Sequence, residues 1–386
     1  MGRKSLHEVF GELGIQRTNS TISPEKFGLN LPQSLQLKWK SSYPFRGGIQ
    51  GKSLPTPFTV RMDGCYDYMH FEDDPDELFK DTQGFYHDVV KIMASLSPEQ
   101  EIDLESHLLE MMARLIFGSN SIEAAGAGYD ITLRLCQRIL KGEPVKDDFD
   151  ERDPDYKELQ AYLLMQNLPA ATSAIIRSRR EIVQHARAFR HIVTQMVLLD
   201  RQLSEELILT THKILTYEVS SPSGESYDTY SGKYRKVAVG CGFANFTRWS
   251  AIPVEMDRLI TDFNADIKSA TKVGSLDPFC LAAKYCHKFV NIHPFLDGNG
   301  RTCRLILNAI LLKYAGILVS LGEEETDRNE YLSVAARASE AESSACDGDE
   351  DEDEYKRKYW KELATLTLRH AKEEFEHLAR ILSESS

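Results

Sequence analysis

The sequence predicts an all-α chain with one strand-like segment, on three observations. From Ser97 onward, apolar residues recur at helical spacing in segment after segment. Helix-start signals stand at the expected places, as at Asp277-Pro278, an N-cap residue followed by a first-turn proline. Apolar–polar alternation with a glycine-rich turn occurs at Tyr234–Val239 and the Gly240-Cys241-Gly242 that follows. The chain has 386 residues, of which 42% are hydrophobic, enough for a large core and two or three domains.

Taken in order, residues 1–95 are punctuated by proline, glycine and aromatic residues, as in Leu54-Pro55-Thr56-Pro57-Phe58. They read as an irregular region with short helices whose role the sequence does not disclose. Gly47-Gly48-Ile49-Gln50-Gly51-Lys52-Ser53 imitates a phosphate-binding loop, but Arg46 stands where its first glycine belongs and no apolar strand precedes it. Residues 96–200 form a helical region. Ile102, Leu104, Leu108, Leu109, Met112 and Leu115 mark a first helix running into Phe117–Ala125, and a second follows over about Ile131–Leu140. Lys141–Asp155 is a charged loop, and helices follow over about Asp155–Asn167 and Pro169–Asp200. Ser204 caps a helix through Leu215; Ser220–Ser231 is turn-rich; Pro253 begins a helix through Phe263. Asp277 starts the next, with Phe279, Ala282, Ala283, Cys286 and Val290 at helical spacing. Leu305–Leu312 is almost wholly apolar and reads as a buried helix stopping at Gly316. Another helix opens near Arg328, an acidic run spans Asp347–Glu354, and Tyr355–Leu382 reads as a terminal amphipathic helix, so 346–386 is an acidic loop plus that helix.

Composition excludes several classes. The net charge is -13, against a general nucleic-acid binder. No apolar run is long enough to span a membrane, and no signal-peptide pattern opens the sequence. Seven scattered cysteines include no Cys-x-x-Cys pair, which predicts reduced thiols in a cytoplasmic or nuclear protein. His185, His191 and His212 read as ordinary helix residues rather than metal ligands.

The chemistry concentrates in Asn291–Arg304. His293 titrates near neutral pH and can take a proton from a hydroxyl. Asp297 is a hard oxygen ligand suited to Mg²⁺ against phosphate oxygens. Gly298-Asn299-Gly300 stands where a helix begins, so backbone N–H groups and the helix dipole favour an anion there. Arg301 and Arg304 share one helical face near the same end. A base, a metal ligand, an anion nest and two arginines are the parts for transferring a phosphate-containing group.

The stretch resembles the signature of the Fic (Fido) family, His-x-Phe-x-(Asp/Glu)-Gly-Asn-Gly-Arg-x-x-Arg, at every defined position: His293, Phe295, Asp297, Gly298, Asn299, Gly300, Arg301 and Arg304. The resemblance covers roughly residues 95–345 and implies an all-α catalytic core over 201–345, with a β-hairpin flap over the active site. It implies protein adenylylation: AMP moves from ATP, with Mg²⁺, to a Ser, Thr or Tyr hydroxyl of a target protein docked on the flap by strand addition. His293 would be the base and Asp297 the metal ligand. Val239, Gly240, Cys241, Gly242, the 297–304 run including Thr302 and Cys303, and Tyr331 would surround the nucleotide, with the Asn299 side chain at the α-phosphate and Tyr331 near the adenine. Phe243, Phe246 and Trp249 either read the target or pack on the flap's base. Ser339 stands where relatives often have asparagine. The family's inhibitory pattern, (Ser/Thr)-x-x-x-Glu-(Gly/Asn), is matched at Ser119 and Glu123, with Ala124 in place of Gly or Asn. It implies that Glu123 pairs with Arg304 and competes with ATP. The alternatives are removal of AMP by the same site, or a non-catalytic nucleotide-binding scaffold. The target's identity and the question of a homodimer stay open.

Overall fold

The computed structural model describes residues 29–41, 43, 58–147, 149–221, 223–240, 246–346 and 358–384. They are almost entirely helical: α1 (Leu31–Ser41), α2 (Pro75–Met93), α3 (Pro98–Ile122), α4 (Tyr129–Leu140), α5 (Pro154–Met165), α6 (Thr172–Val193), α7 (Glu205–Leu215), the short α8 (Tyr227–Tyr230), α9 (Ile252–Val273), α10 (Pro278–Ile292), α11 (Asn299–Tyr314), α12 (Glu325–Cys346) and α13 (Lys361–Glu384). Among these residues the only sheet is a two-stranded parallel pair, β1 (Thr59–Val60) with β2 (Ser275–Leu276). No described helix is long and apolar enough to cross a membrane.

Everything is packed around α11. From Arg301 to Tyr314 every residue of it is buried, and it touches α3, α6, α7 and α10. A helix apolar on all sides belongs in a core, and Leu305–Leu312 is such a run. Two polar members toward its C-terminal half are paired: Asn308 accepts from the Val319 amide, and Lys313 reaches Asp200 at 2.9 Å. The helix stops at Tyr314, just before Gly316, as its sequence predicts.

Side-chain caps start the helices that carry the site. Ser97 and Gln100 close a reciprocal capping box at α3. Asp277 accepts the Phe279 and Cys280 amides at α10 and also bonds the Asp63 amide and the Tyr66 hydroxyl, which ties the 58–66 segment to this helix. Burial pushes the Asp277 carboxyl up to about 7.

Two expectations change. The part of 1–95 that the structure describes contains α2, a 19-residue helix packed along the C-terminal α13, rather than only short helices. Its start signal, Asp74-Pro75, and its buried face of Leu78, Phe79, Tyr86, Val89 and Met93 were present in the sequence. The cysteines are not all reduced: Cys65 and Cys280 form a disulfide across a separation of 215 residues. Cys136, Cys286 and Cys303 are free and buried. The phosphate-loop look-alike at 47–53 and the acidic run at 347–354 lie outside the described residues.

Candidate active site

His293 terminates α10. It is the C-cap, with φ 50° and ψ 59°, a left-handed conformation uncommon for a residue with a side chain. Its Nδ1 lies 3.0 Å from the Val290 carbonyl oxygen. A carbonyl can only accept, so Nδ1 carries the proton and Nε2 is left with the lone pair. Burial lowers the pKa of the ring below the ordinary histidine value. The Phe246 ring stacks on the imidazole at 3.8 Å between centroids.

The loop after His293 is stapled from within. Asn299 Oδ1 accepts the Phe295 amide and Asn299 Nδ2 donates to the Phe295 carbonyl, both at 2.9 Å. The side chain expected at an α-phosphate is therefore engaged in shaping the loop. Phe295 stacks on His212 at 3.6 Å, nearly parallel. His212 Nδ1 accepts the Gly232 amide, so its Nε2 is the protonated nitrogen and donates to the Asp297 carbonyl at 2.9 Å. Burial takes this imidazole down to about 3, so it stays neutral. Gly298 turns the chain into α11 at φ 78°, where a β-carbon would press on the His212 ring at 3.4 Å.

At the α11 N-terminus both arginines are buried. Arg301 approaches Asp297 Oδ2 at 3.5 Å, but neither that oxygen nor Arg301 Nε and Nη1 makes a hydrogen bond. Buried polar atoms normally have partners, so this end of the site suits an anion with a small hard cation. Asp297 offers one carboxylate toward the latter, a number typical for Mg²⁺ held against phosphates. No group of three or more His, Cys, Asp or Glu among the described residues would hold a metal unaided.

Arg304 is held by the end of α3 through Nε and Nη2. Its Nε donates to Ser119 Oγ at 2.8 Å, and its Nη2 donates to the Ser119 carbonyl at 2.9 Å and to Glu123 Oε1 at 2.7 Å. The pair expected from the sequence forms, through one carboxylate oxygen rather than two. Crowding by protein pushes the Glu123 carboxyl up, but Arg304 and then Arg301 outweigh it and hold the pKa below the usual value. Gly300 permits this approach: a β-carbon there would stand 2.1 Å from Glu123 Oε1. α3 ends in a Schellman turn, with Ala125 N–H on the Asn120 carbonyl and Ala124 N–H on the Ser121 carbonyl. Its left-handed position is Ala124, at φ 50°. The inhibitory pattern's Gly or Asn falls at the position where such a turn favours those residues.

Other expected site residues sit differently. Thr302 and Cys303 are fully buried, with side chains turned to the Gly298 and Gly300 carbonyls. Tyr331 is buried with its ring on the Arg304 guanidinium at 5.4 Å. Ser339 Oγ bonds Asn291 Oδ1. Tyr234–Val239 is not a strand. Its backbone is claimed elsewhere: the Arg235 amide donates to the Pro294 carbonyl, and on the far arm the Thr247 amide donates to Asn291. Both arms are thus bound to the 291–294 loop. Val239 and Gly240 lie in irregular backbone, and Cys241, Gly242 and Phe243 fall outside the described residues. Trp249 is 46% exposed.

Sequence reasoning missed Arg235 and His212. The buried Arg235 guanidinium donates to the carbonyls of His293, Val237 and Thr247 at 2.6, 2.8 and 2.5 Å. No local pattern marks either residue, because each acts on a loop far along the chain.

Residues 202–311 match the Fic/DOC family. The protein adenylyltransferase Fic of Nematostella vectensis is 25% identical over 174 residues, which cover 45% of this chain and 38% of that protein. A Fido domain-containing protein of Dictyostelium discoideum is 37% identical over 83 residues, 22% of this chain and 55% of that one. The chain thus spans little more than half the length of these relatives, or less. A Fic domain containing signaling protein from Bacteroides thetaiotaomicron shares the fold, with a TM-score of 0.55 at 18% identity over 81% of this chain and 98% of that one. The signature loop lies inside the stretch that matches the Fic/DOC family, so residues 202–311 are similar to a Fic domain, and the helical fold around them is shared with a Fic-domain structure.

Proposed function

We propose that this chain is a protein adenylyltransferase held in check by Glu123. The observation that carries the reading is the state of His293: one ring nitrogen is bound to the Val290 carbonyl and the other is free to accept, at the mouth of a helix N-terminus flanked by two buried arginines. The hydroxyl oxygen of a target Ser, Thr or Tyr attacks the α-phosphorus of ATP, its proton passes to His293 Nε2, and the bond to the β-phosphate breaks to release pyrophosphate. Backbone amides at Gly298–Gly300 face the developing charge. Arg301 and Arg304 hold the β- and γ-phosphates. Asp297 would hold Mg²⁺, which when bound neutralises part of the triphosphate charge. The target segment docks beside the two described arms of the flap, Tyr234–Gly240 and Phe246–Trp249. Glu123 occupies the Arg304 donor that a phosphate oxygen requires, so the lock and ATP compete for one guanidinium.

The test uses α-labelled ATP and Mg²⁺ with wild type, Glu123→Gly and Glu123→Gly/His293→Ala. Label on the protein should rise at least about tenfold in Glu123→Gly, the worth of a charged hydrogen bond. It should fall about 10³-fold on adding His293→Ala, with ATP still bound. Retained transfer without His293 refutes the base. A second reading is removal of AMP from a modified protein: the Glu123 carboxylate lies near enough to His293 for its charge to favour the protonated ring. Release of AMP from a pre-modified protein by wild type, lost in Glu123→Gly, would select that direction.

A further inference from the structure

We infer that one face of α6 is a latch that sets how tightly Glu123 holds Arg304, with Glu181 and Ser178 as positioning residues acting through the turn after Glu123. The inference rests on the inhibitory reading of Glu123 and assigns its strength to residues that touch neither nucleotide nor Arg304.

The turn from Glu123 to Gly126 is gripped at its far end. The Gly126 amide donates to Glu181 Oε2 at 2.8 Å, and Ser178 Oγ donates to the Gly126 carbonyl at 2.6 Å. Both groups of one peptide residue are therefore held by α6. Glu181 and Ser178 are 5% and 4% exposed, so the bonds are made away from water, where they are strongest. Arg177 Nε fixes the other Glu181 oxygen at 2.9 Å. One turn further along the same face, His185 Nδ1 lies 2.9 Å from Asn120 Oδ1. Residues 178, 181 and 185 share a helical face, and all three address the 120–126 turn.

The turn needs such a grip because of Ala124. A β-carbon at φ 50° makes this Schellman turn less favourable than glycine would. Within the turn the strain favours release of Glu123, whereas the α6 bonds favour its retention. The lock is therefore a balance that either side can tip.

The experiment measures the affinity of an ATP analogue with a non-cleavable α–β bond, plus Mg²⁺, by calorimetry, and amide hydrogen exchange over residues 119–128. The full chain is used as wild type, Ser178→Ala, Glu181→Gln and Ala124→Gly, each with and without Glu123→Gly. Ser178→Ala and Glu181→Gln should tighten binding about tenfold and speed exchange in the turn. Ala124→Gly should move both the other way, weakening binding about fivefold. In the Glu123→Gly background all three should change affinity by less than about twofold, since the lock they act on is gone.

The latch is overturned if Ser178→Ala and Glu181→Gln leave affinity unchanged while Glu123→Gly tightens it. It is equally overturned if they act with the same strength when Glu123 is absent, which is how mere damage to the fold would behave. If Glu123→Gly alone fails to tighten binding, the inhibitory reading itself falls, and that single variant reveals it. Should Glu181→Gln not fold, Ser178→Ala still decides, since it removes the other bond of the same grip on Gly126.

Discussion

Five described residues with a side chain adopt a left-handed backbone, and the two beside the candidate site, at the ends of α10 and α3, are instructive to compare. α10 ends at His293 and α3 ends just before Ala124, each in a left-handed residue with a side chain, both at φ 50°. Strained backbone persists only when its surroundings over-determine it. Around His293 they do. The Arg235 guanidinium binds its carbonyl, Asn299 staples the next turn, and His212 braces both Phe295 and Asp297. Around Ala124 there are supports as well, but at a turn that stands closer to water: the Glu123–Arg304 contact, the α6 bonds to Gly126, and Arg328 on the Ser121 and Ile122 carbonyls. Glu123 and Ala124 are exposed, whereas the residues after His293 are buried or nearly so. One turn is built to stay, and the other is built to yield.

The sharpest way to break the contrast is to remove the brace from the rigid turn. Arg235→Ala leaves several buried carbonyls without a donor and should cost about 3 kcal/mol or more in unfolding free energy. A urea midpoint measures this. The same change should abolish labelling in the Glu123→Gly background, because His293 loses its fixed position. A full-strength midpoint would mean that the His293 turn needs no support from the flap.

A smaller effect is expected from the second brace. His212→Phe keeps the aromatic stack on Phe295 but loses the bonds to Gly232 and Asp297. It should cost about 1–2 kcal/mol and lower turnover of Glu123→Gly more than it lowers ATP affinity, since it disturbs the loop rather than the arginines. Equal losses in both would assign His212 to the phosphate end instead.

The mildest effect should come from pH. His293 must be neutral to accept a proton, and burial sets its pKa below 6.5. Labelling by Glu123→Gly should therefore hold level from pH 8 down through the ordinary histidine range and fall only at more acidic values. Phe246→Ala opens the ring to water and should move that acid limb upward. A limb already at or above 6.5 in the parent would show that the imidazole is not shielded.

How much of this was legible in the sequence follows from how local each cause is. The signature loop, α11 and the starts of α3 and α10 are written in contiguous residues: caps, a run of apolar side chains, a glycine where the chain turns. The Glu123–Arg304 contact was also foreseeable, but only through the family's pattern, since the two residues lie 181 positions apart. What stayed hidden depends on distant partners. Tyr234–Val239 alternates like a strand, yet its neighbour is the 291–294 loop and not another strand, so pattern alone misassigned it. Arg235, His212, the Cys65–Cys280 disulfide and the pairing of α2 with α13 belong to the same class. Ala124 is a different case. It was visible as a departure from the pattern, and only the backbone angle shows that the departure is paid for in strain.

Gly300 carries a last consequence, for the mutational routes open to this protein. On the proposed reading the position would serve an anion nest through its amide and the Glu123–Arg304 contact through its missing side chain, since a β-carbon would stand 2.1 Å from Glu123 Oε1. A single substitution there would wedge the inhibitory carboxylate out and crowd the phosphate seat in the same stroke. Release by mutation at this residue is therefore self-defeating, and variants selected for unchecked activity should change the 119–126 turn or its supports and leave Gly300 untouched.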